Sequence, residues 1–371
     1  MKNIVNLGNV ATYINGYAFK PSDWAEDGTP IIRIQDLTGN SYQMNRFKGI
    51  VDSKYDVNSG DVLISWSASL GVYVWNRGNA VLNQHIFKVV FDKEEVDKDF
   101  FVFQIDNLLK KAANQAHGAT MRHLTKPVFD ALPFYLPDIK TQRLISSKLN
   151  LIVHLIEDHH EQLKKLDELI RSRFIEMFGD LINEPKYPGI KLGSLGVMIT
   201  GGTPSRKHDE YYGGNIPFIS TSCLGSNFIS EKNVQNYLTE AGVKNSATHK
   251  IPPYSLMVGN RVGVGKSSIN TCEMCTNQDI LSFVHIDTNR FDLLFLKKVI
   301  DQYSPYFDEH KRGATIQGVP SKVIKDSMVP DVPLEMQKRY TALVKQSDKS
   351  KYGGTIFLVY WKIFAYVVIY K

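Results

Sequence analysis

The amino-acid sequence is duplicated at a separation of about 190 residues, which restricts the fold to two copies of one domain. The separation grows from 185 residues at the start of the repeat to 195 at its end, as loop insertions between matched points would produce. Chance matches would scatter in separation instead. The matched positions are Leu7-Gly8 with Leu192-Gly193, Pro30 with Pro217, Asn83-Gln84 with Asn277-Gln278, Gly118-Ala119-Thr120 with Gly313-Ala314-Thr315, and Gln142 with Gln337.

Each copy combines short β-type segments with a helical segment, which predicts two α+β domains. The second copy opens on Gly201-Gly202-Thr203-Pro204-Ser205, and a weaker form of this layout surrounds Gly16 in the first copy. Runs of β-branched and aromatic residues bounded by turn residues predict the strands. These strands are Val5–Leu7, Ile31–Ile34, Asp61–Ser65, Val72–Trp75, Ile86–Phe91, Ile216–Ser220, Ser255–Asn260, Ser268–Thr271 and Ile280–His285, and the helices are Phe100–Ala113 and Asp292–Gln302.

The segment between the two copies predicts one long coiled-coil helix. Residues 138–178 contain no proline or glycine, and their apolar residues follow steps of four and three, interrupted at His159 and Arg173. About 40 helical residues extend roughly 60 Å, so we expect a spacer with an apolar seam for a second helix. The seam residues are Ile145, Leu149, Ile152, Ile156, Leu163, Leu166, Ile170 and Met177.

Composition describes an ordinary globular protein with a weak preference for a polyanionic partner. The chain is 43% hydrophobic and 22% charged, with a net charge of +6. Three cysteines and the lack of a signal peptide predict a reducing cytoplasm without a disulfide framework. Cys272 and Cys275 supply half of a four-ligand zinc site and no second pair follows, so neither a metal nor a cofactor is predicted.

No catalytic motif is found in the sequence. Residues 263–268, Gly-Val-Gly-Lys-Ser-Ser, are similar to a phosphate-binding loop, but Asn260 stands where that loop needs glycine and no helix follows. We predict instead a glycine-rich turn that presents Arg261 and Lys266 to a phosphate backbone. Residues 251–254, Ile-Pro-Pro-Tyr, lack the Asn or Asp that begins the adenine-methyltransferase tetrad. The sequence therefore predicts a protein without a catalytic role of its own.

Polar side chains suited to contacting base edges remain as the candidate site. Asn and Gln can pair bidentately with adenine, and Arg with guanine. An Asn at such a position can also simply close a turn. The predicted DNA-binding residues are Arg33, Trp66, Asn83, Gln84, His85 and Arg122 in the first copy, and Thr203, Ser205, Arg261, Lys266, Asn277, Gln278 and Arg312 in the second.

These features resemble the specificity subunits of type I restriction-modification enzymes. The resemblance rests on Gly-Gly-Thr-Pro-Ser at 201–205, on Tyr-Tyr-Gly-Gly-Asn-Ile-Pro-Phe-Ile at 211–219 and on Arg-Gly-Ala-Thr at 312–315. The order of recognition domain, long helix and recognition domain also fits, over residues 1 to about 348. We therefore predict recognition domains over 1–139 and 185–334, a spacer helix and linker over 140–184, and a truncated second spacer helix with an atypical apolar tail over 335–371.

The resemblance also implies a function and a set of partners. Each recognition domain would read one half of a bipartite double-stranded DNA target, while the helices set the distance between the half-sites. Two modification subunits, which carry the methyltransferase chemistry, would dock on the helices, and restriction subunits would join through the complex. The chain itself would be non-catalytic and cytoplasmic.

The C-terminal segment departs from this family pattern. The second helix is expected to begin near Leu334 and to reach about Lys349 before Gly353-Gly354, so it is truncated or frame-altered. The following run, Thr355–Tyr370, is almost wholly apolar and has no counterpart in the first copy. Three alternatives follow: an inactive variant of the subunit, self-association through the exposed seam, and a tail-anchored membrane protein. A solitary methyltransferase or nuclease is disfavoured by the missing motifs.

Overall fold

The computed structural model describes residues 3–115, 125–313 and 317–350. These residues form two compact units, residues 3–158 and residues 159–350, and the boundary falls inside one long helix. Arg122 and the apolar run 355–370 lie outside the described residues. The proposed truncation of the second helix therefore stays a prediction.

The first unit consists of short strands followed by helices, as predicted. Its elements are β1 (Ile4–Asn6), β2 (Thr12–Asn15), β3 (Thr29–Ile32), α1 (Ile34–Leu37), β4 (Arg46–Phe47), β5 (Asp56–Val57), β6 (Val62–Ser65), β7 (Gly71–Val74), β8 (Ala80–Leu82), β9 (Ile86–Val90), α2 (Lys98–Gln115), α3 (Lys126–Asp130) and β10 (Pro133–Tyr135). The long helix α4 (Ile139–Phe178) begins in this unit.

Two four-stranded sheets form the body of the first unit. One has the order β2-β9-β6-β7, with all neighbours antiparallel, and the other has the order β4-β3-β8-β5, in which β3 and β8 are parallel. The core lies where Phe100 and Phe101 of α2 pack with Ile64 of β6 and Phe87 of β9. β1 pairs with β10 and so joins the start of the unit to the segment that precedes α4.

The second unit repeats this arrangement with a longer strand β15 and an additional short strand β16. Its elements are β11 (Gly179–Asp180), β12 (Glu184–Pro185), β13 (Gly189–Lys191), β14 (Val197–Thr200), β15 (Tyr212–Ile219), β16 (Phe228–Ile229), β17 (Asn236–Leu238), α5 (Glu240–Lys244), β18 (Lys250–Ile251), β19 (Leu256–Gly259), β20 (Ser267–Asn270), β21 (Met274–Thr276), β22 (Ile280–Val284), α6 (Leu293–Gln302), α7 (Ser304–Glu309), α8 (Ser321–Lys325), β23 (Met328–Pro330) and a helix α9 over residues 334–350.

Strand pairing in the second unit confirms the duplication. Its sheets have the orders β14-β22-β19-β20-β16 and β17-β15-β21-β18, and β13 pairs with β23 as β1 does with β10. The parallel strands β15 and β21 align Phe218 with Cys275, just as β3 and β8 of the first unit align Ile31 with Val81. The separations of these positions, 187 and 194 residues, agree with those of the sequence repeat.

Most predicted element boundaries differ from the structure by one or two residues, and β15 begins four residues before the predicted Ile216. The difference at the strand predicted over Ile31–Ile34 has a local cause. The strand predicted over Ile31–Ile34 ends at Ile32, because the amide of Arg33 donates to the side chain of Asp36 at 2.8 Å and starts the short helix α1. An acidic residue three positions into a helix satisfies an amide that lacks an intrahelical acceptor. The predicted helix starting at Asp292 begins one residue later, with Asp292 as its cap.

The long helix spans the predicted residues. In addition, two aromatic side chains outside the predicted seam pack in the core of the second unit. Leu149 and Ile152 of the seam are buried, and the other seam residues are half-buried. Phe174 and Phe178 are fully buried, although the four-and-three spacing did not include them. Their rings lie 5.4 and 5.6 Å from that of Tyr340, so α9 packs against the end of α4.

A buried glutamine fixes the start of α4 on the first unit. Its side-chain oxygen accepts from the amide of Asp97 at 2.9 Å, while its nitrogen donates to the carbonyl oxygens of Pro137 at 2.8 Å and Glu95 at 3.2 Å. This glutamine, Gln142, is 1% exposed. A buried amide is stable only with such partners, so the position of the helix start is tightly specified.

The second unit repeats this contact 195 residues later. Gln337 in α9 accepts from the amide of Asp292 at 2.9 Å and donates to the carbonyl oxygens of Val332 at 2.9 Å and Arg290 at 3.1 Å. Its side chain is completely buried. Gln142 and Gln337, which the sequence matched to each other, therefore make the same three hydrogen bonds.

We expect replacement of either glutamine by leucine to destabilise its own unit. Gln142→Leu leaves one amide and two carbonyls without their partner, at a cost of about 1–3 kcal/mol in the free energy of unfolding. Tryptophan fluorescence during urea unfolding reports on the first unit, because three of the four tryptophans, Trp24, Trp66 and Trp75, lie in it. Gln337→Leu should shift the transition followed by circular dichroism instead.

The exposed Gln346 in α9 provides the matched control for these variants. Gln346→Leu should change the free energy of unfolding by no more than about 0.5 kcal/mol. Equal urea midpoints for all three variants would show that the buried amides do not stabilise the helix starts.

Candidate nucleic-acid interface

A close approach of two backbone segments positions the Asn-Gln pair of each unit. Gly201 follows β14, and a β-carbon at this residue would lie 2.2 Å from the carbonyl oxygen of Asn277. Gly16 follows β2, and a β-carbon there would lie 2.0 Å from the carbonyl oxygen of Asn83. Only glycine fits at such distances. The glycine and the Asn-Gln pair of the sequence repeat are therefore parts of one contact.

Three of the predicted residues meet in one open cleft of the second unit. Arg261 follows β19, Gln278 precedes β22 and Arg312 follows α7, and all three line a cleft of about 510 Å³. Asn260 also lines the cleft and was not among the predicted residues. Its signal in the sequence was its position at the end of the predicted strand Ser255–Asn260, next to Arg261.

Backbone hydrogen bonds join the segments that form this cleft. We call the cleft lined by Asn260, Arg261, Gln278 and Arg312 the reading cleft. The amide of Asn260 donates to the carbonyl oxygen of Asp279 at 3.0 Å, and its own carbonyl oxygen accepts from the amide of Val319 at 2.7 Å. Arg312 and Gly318 exchange two backbone hydrogen bonds of 2.8 and 2.9 Å. These bonds fix the positions from which the three side chains extend.

Side-chain contacts hold the polar groups of the reading cleft. The hydroxyl of Thr203 donates to the side-chain oxygen of Gln278. Arg261 Nη1 lies 3.7 Å from Asp279 Oδ1, and Asn277 Nδ2 donates to Asp279 Oδ2 at 3.3 Å. Arg261 and Gln278 are nevertheless exposed, so donors and acceptors remain accessible to a ligand in the cleft.

Two other predicted residues of the second unit lie apart from the reading cleft. The predicted glycine turn is confirmed, and Lys266 lies at its far end. Lys266 lines a separate cleft with Lys297 and Asp301. Ser205 is exposed and accepts from the amide of Lys207 at 3.3 Å. The turn thus directs Arg261 and Lys266 to different surfaces, because the chain reverses direction between them.

The first unit has a different side chain at the position of Asn260. The amide of Trp66 donates to the carbonyl oxygen of His85 at 3.3 Å, which matches the bond from Asn260 to Asp279. The Trp66 ring stacks on Phe87, with centroids 5.6 Å apart, and its nitrogen donates to the side chain of Asn15 at 3.1 Å. Two predicted residues, Trp66 and His85, are therefore close together in this unit, with ring centroids 5.0 Å apart, and Gln84 precedes His85 in the chain.

The two asparagines of the Asn-Gln pairs are half-buried in their units. The side-chain oxygens of Asn83 and Asn277 are buried and have no hydrogen-bond partner among the described residues. His85 adopts a left-handed backbone conformation with φ of 71°. Strained backbone and unpaired buried polar groups cost stability and concentrate at functional sites.

Arg33 lies in different surroundings from the other predicted residues. Its Nε lies 3.7 Å from the buried carboxylate of Asp36, and its guanidinium lies 5.5 Å from the centre of the Trp24 ring. These contacts engage its charge within the first unit. Its part in DNA binding stays a prediction.

The described residues also bear on metal binding and on membrane insertion. Among them, no cluster of three or more His, Cys, Asp or Glu side chains has the arrangement to hold a metal ion. Burial raises the pKa of Cys275 to about 11, so this thiol stays protonated at neutral pH. In the same part of the chain, no helix combines the length and the apolar character that crossing a bilayer requires.

Sequence comparison finds the same family in both copies of the repeat. The family described as "Type I restriction modification DNA specificity domain" matches residues 2–168 and 187–352. The type I restriction enzyme EcoBI specificity subunit of Escherichia coli is 25% identical over 170 residues, 45% of this chain and 35% of that protein. The HindI specificity subunit of Haemophilus influenzae is 23% identical over 241 residues, 64% of this chain and 50% of that protein. The matches thus span between a third and a half of these relatives.

Solved structures share the fold over the whole chain. A chain from a structure concerning complex assembly and conformational transition of the type I R-M system aligns with a TM-score of 0.66 and 14% identity, covering 99% of this chain and 96% of that one. The type I restriction-modification system S subunit from M. genitalium aligns with a TM-score of 0.54 and 12% identity, covering 99% and 95%. Because the family matches both copies of the repeat, the chain belongs to the type I restriction modification DNA specificity family.

Proposed function

We propose that this chain is the non-catalytic DNA-recognition subunit of a type I restriction-modification complex, in which each unit contacts one half of a bipartite double-stranded target. The reading cleft carries the proposal, because it brings Arg261, Gln278 and Arg312 together on one exposed surface. The equivalent turns of the first unit, after β6 and before β9, carry Trp66, Gln84 and His85. Two related surfaces with different side chains suit a target with two different halves.

The chemistry of the reading cleft favours base edges over phosphates alone. An arginine can donate two hydrogen bonds to guanine, and a glutamine can both donate to and accept from adenine. Each such bidentate contact discriminates against a wrong base by about 1–3 kcal/mol. Side chains held by neighbouring groups, as Gln278 is by Thr203, lose less conformational entropy on binding.

The exposed apolar residues of α4 support docking of partner subunits on the helices. Leu144 and Leu151 are 56% and 59% exposed and lie seven residues apart, so both are on the same side of the helix. Leu169 is similarly exposed in the second unit. We propose that two modification subunits dock on such residues and that restriction subunits join through them, in the cytoplasm. This proposal includes the division into recognition domains 1–139 and 185–334, a spacer helix and linker 140–184, and a truncated second spacer helix with its apolar tail 335–371.

We expect each unit to determine recognition of its own half-site. Gln278→Ala, in a complex with the modification subunits, should reduce discrimination at one half of the methylated target by about 1–3 kcal/mol per lost base contact. Gln84→Ala should affect only the other half. Sequencing of methylated host DNA gives the base frequencies at every target position.

Gln235 is an exposed glutamine of the second unit outside the reading cleft and provides the matched control. Gln235→Ala should leave both half-sites unchanged. Equal loss of discrimination in both halves for Gln278→Ala would contradict the assignment of one half-site to each unit.

We expect the chain alone to bind DNA weakly and with a steep salt dependence. A net charge of +6 over 371 residues gives a modest attraction to phosphates, which rising salt removes through counterion release. Fluorescence anisotropy with a labelled duplex at several salt concentrations measures this, with and without modification subunits. Tight and sequence-specific binding by the isolated chain at physiological salt would contradict the proposed dependence on partners.

Docking through α4 is tested by placing a charge at Leu151. Leu151→Asp should weaken association with the modification subunit tenfold or more, because a charge would be buried in an apolar contact, about 1.4 kcal/mol or more. Co-purification and calorimetric titration measure the affinity. Ile50→Asp, at an equally apolar and 99% exposed position outside the helix, is the control and should leave association unchanged. If both variants associate normally, the partner docks elsewhere.

A further inference from the structure

Asp279 borders the reading cleft, but its carboxylate is engaged by the protein itself. Its side chain is only 13% exposed. Oδ1 lies 3.7 Å from Nη1 of Arg261, and Oδ2 accepts a hydrogen bond of 3.3 Å from Asn277. Because only 13% of this side chain is exposed, the carboxylate is poorly placed to accept from the amino group of a base.

Three contacts restrict Arg261, one at the neighbouring backbone, one at its side-chain stem and one at its guanidinium. At its base, the amide of the preceding residue, Asn260, donates to the carbonyl oxygen of Asp279 at 3.0 Å. Along its stem, Gly318 lies so close that a β-carbon there would be 2.8 Å from Cγ of Arg261. At its head, the guanidinium faces the carboxylate of Asp279. Arg261 still has a 54% exposed side chain, so it reaches the cleft with its direction restricted.

The charges of the pair explain why both partners are needed. A half-buried carboxylate without a cation is strongly unfavourable, and a carboxylate beside DNA would repel phosphates. The guanidinium compensates this charge. It has five N–H donors, and the contact with Asp279 involves Nη1, so further donors remain for a base edge.

We infer that Asp279 is a positioning residue, which sets the direction of the Arg261 guanidinium and thereby the base pair that Arg261 discriminates. This inference rests on the proposed DNA-recognition function. The base contact belongs to Arg261, while Asp279 acts through it.

The first unit lacks this ion pair, which gives the inference an internal control. The equivalent backbone hydrogen bonds match Asp279 with His85 and Arg261 with Ser67. The carboxylate and the guanidinium are therefore both replaced by residues that cannot form the same contact. Loss of Asp279 should affect the half-site of the second unit alone.

The test uses the full chain in complex with modification subunits and reads the methylated target by sequencing. Asp279→Asn keeps the size of the side chain and removes its charge. It should reduce discrimination roughly tenfold or more at one base pair, the same base pair that Arg261→Ala relaxes. In the double variant Asp279→Asn with Arg261→Ala, the effect should equal that of Arg261→Ala alone, because the two residues act as one unit.

A conservative variant separates positioning from folding. Asp279→Glu keeps the charge and should restore part of the discrimination that Asp279→Asn loses, with an unchanged unfolding midpoint by circular dichroism. If Asp279→Asn does not fold, a loss of discrimination in Asp279→Glu at the Arg261 base pair supports the inference, and unchanged discrimination overturns it.

Two further results would overturn the inference. Relaxation at a base pair different from that of Arg261→Ala would mean that Asp279 contacts DNA directly. If the fold-losses of discrimination in the two single variants multiply in the double variant, the two residues act independently. Failure of the proposed function itself is distinguishable, since Gln278→Ala would then leave the target unchanged as well.

Discussion

The start of each long helix depends on one buried glutamine amide. Gln142 and Gln337 each bond one amide and two carbonyls of the chain segments next to them. An amide buried without these partners would destabilise the fold, so each helix can begin in one position only. A spacer is useful only if its ends are fixed, and these contacts fix the end from which each helix starts.

The proposed recognition surface depends on a second packing constraint, the approach of Gly16 and Gly201 to the backbone of the Asn-Gln pairs. A side chain at either glycine would collide with a carbonyl oxygen. The contact brings the end of one strand against the turn before another, and in the second unit Gln278 extends from that turn toward Arg261 and Arg312. The scaffold is therefore closely packed where the side chains proposed to read DNA are attached, which would limit the entropy lost on binding.

The same scaffold presents different chemistry in its two copies. Asn260 and Asp279 of the second unit correspond to Trp66 and His85 of the first, with equivalent backbone hydrogen bonds. An aromatic ring stacked on Phe87 replaces an amide, and an imidazole replaces a carboxylate that faces an arginine. Fold and specificity are thus separable: backbone hydrogen bonds preserve the fold, while the side chains in the turns differ.

The sequence by itself determined the duplication, the α+β character of both copies and the extent of the long helix, because these follow from local periodicity and from the spacing of matched residues. Only the tertiary structure decided which polar residues meet. Arg261 and Arg312 are 51 residues apart and share a cleft, whereas Lys266, five residues from Arg261, lines another one. Sheet order and turn direction, which set such contacts, involve residues far apart in the chain. The burial of Phe174 and Phe178 likewise depends on Tyr340 in a distant helix, which no local pattern contains.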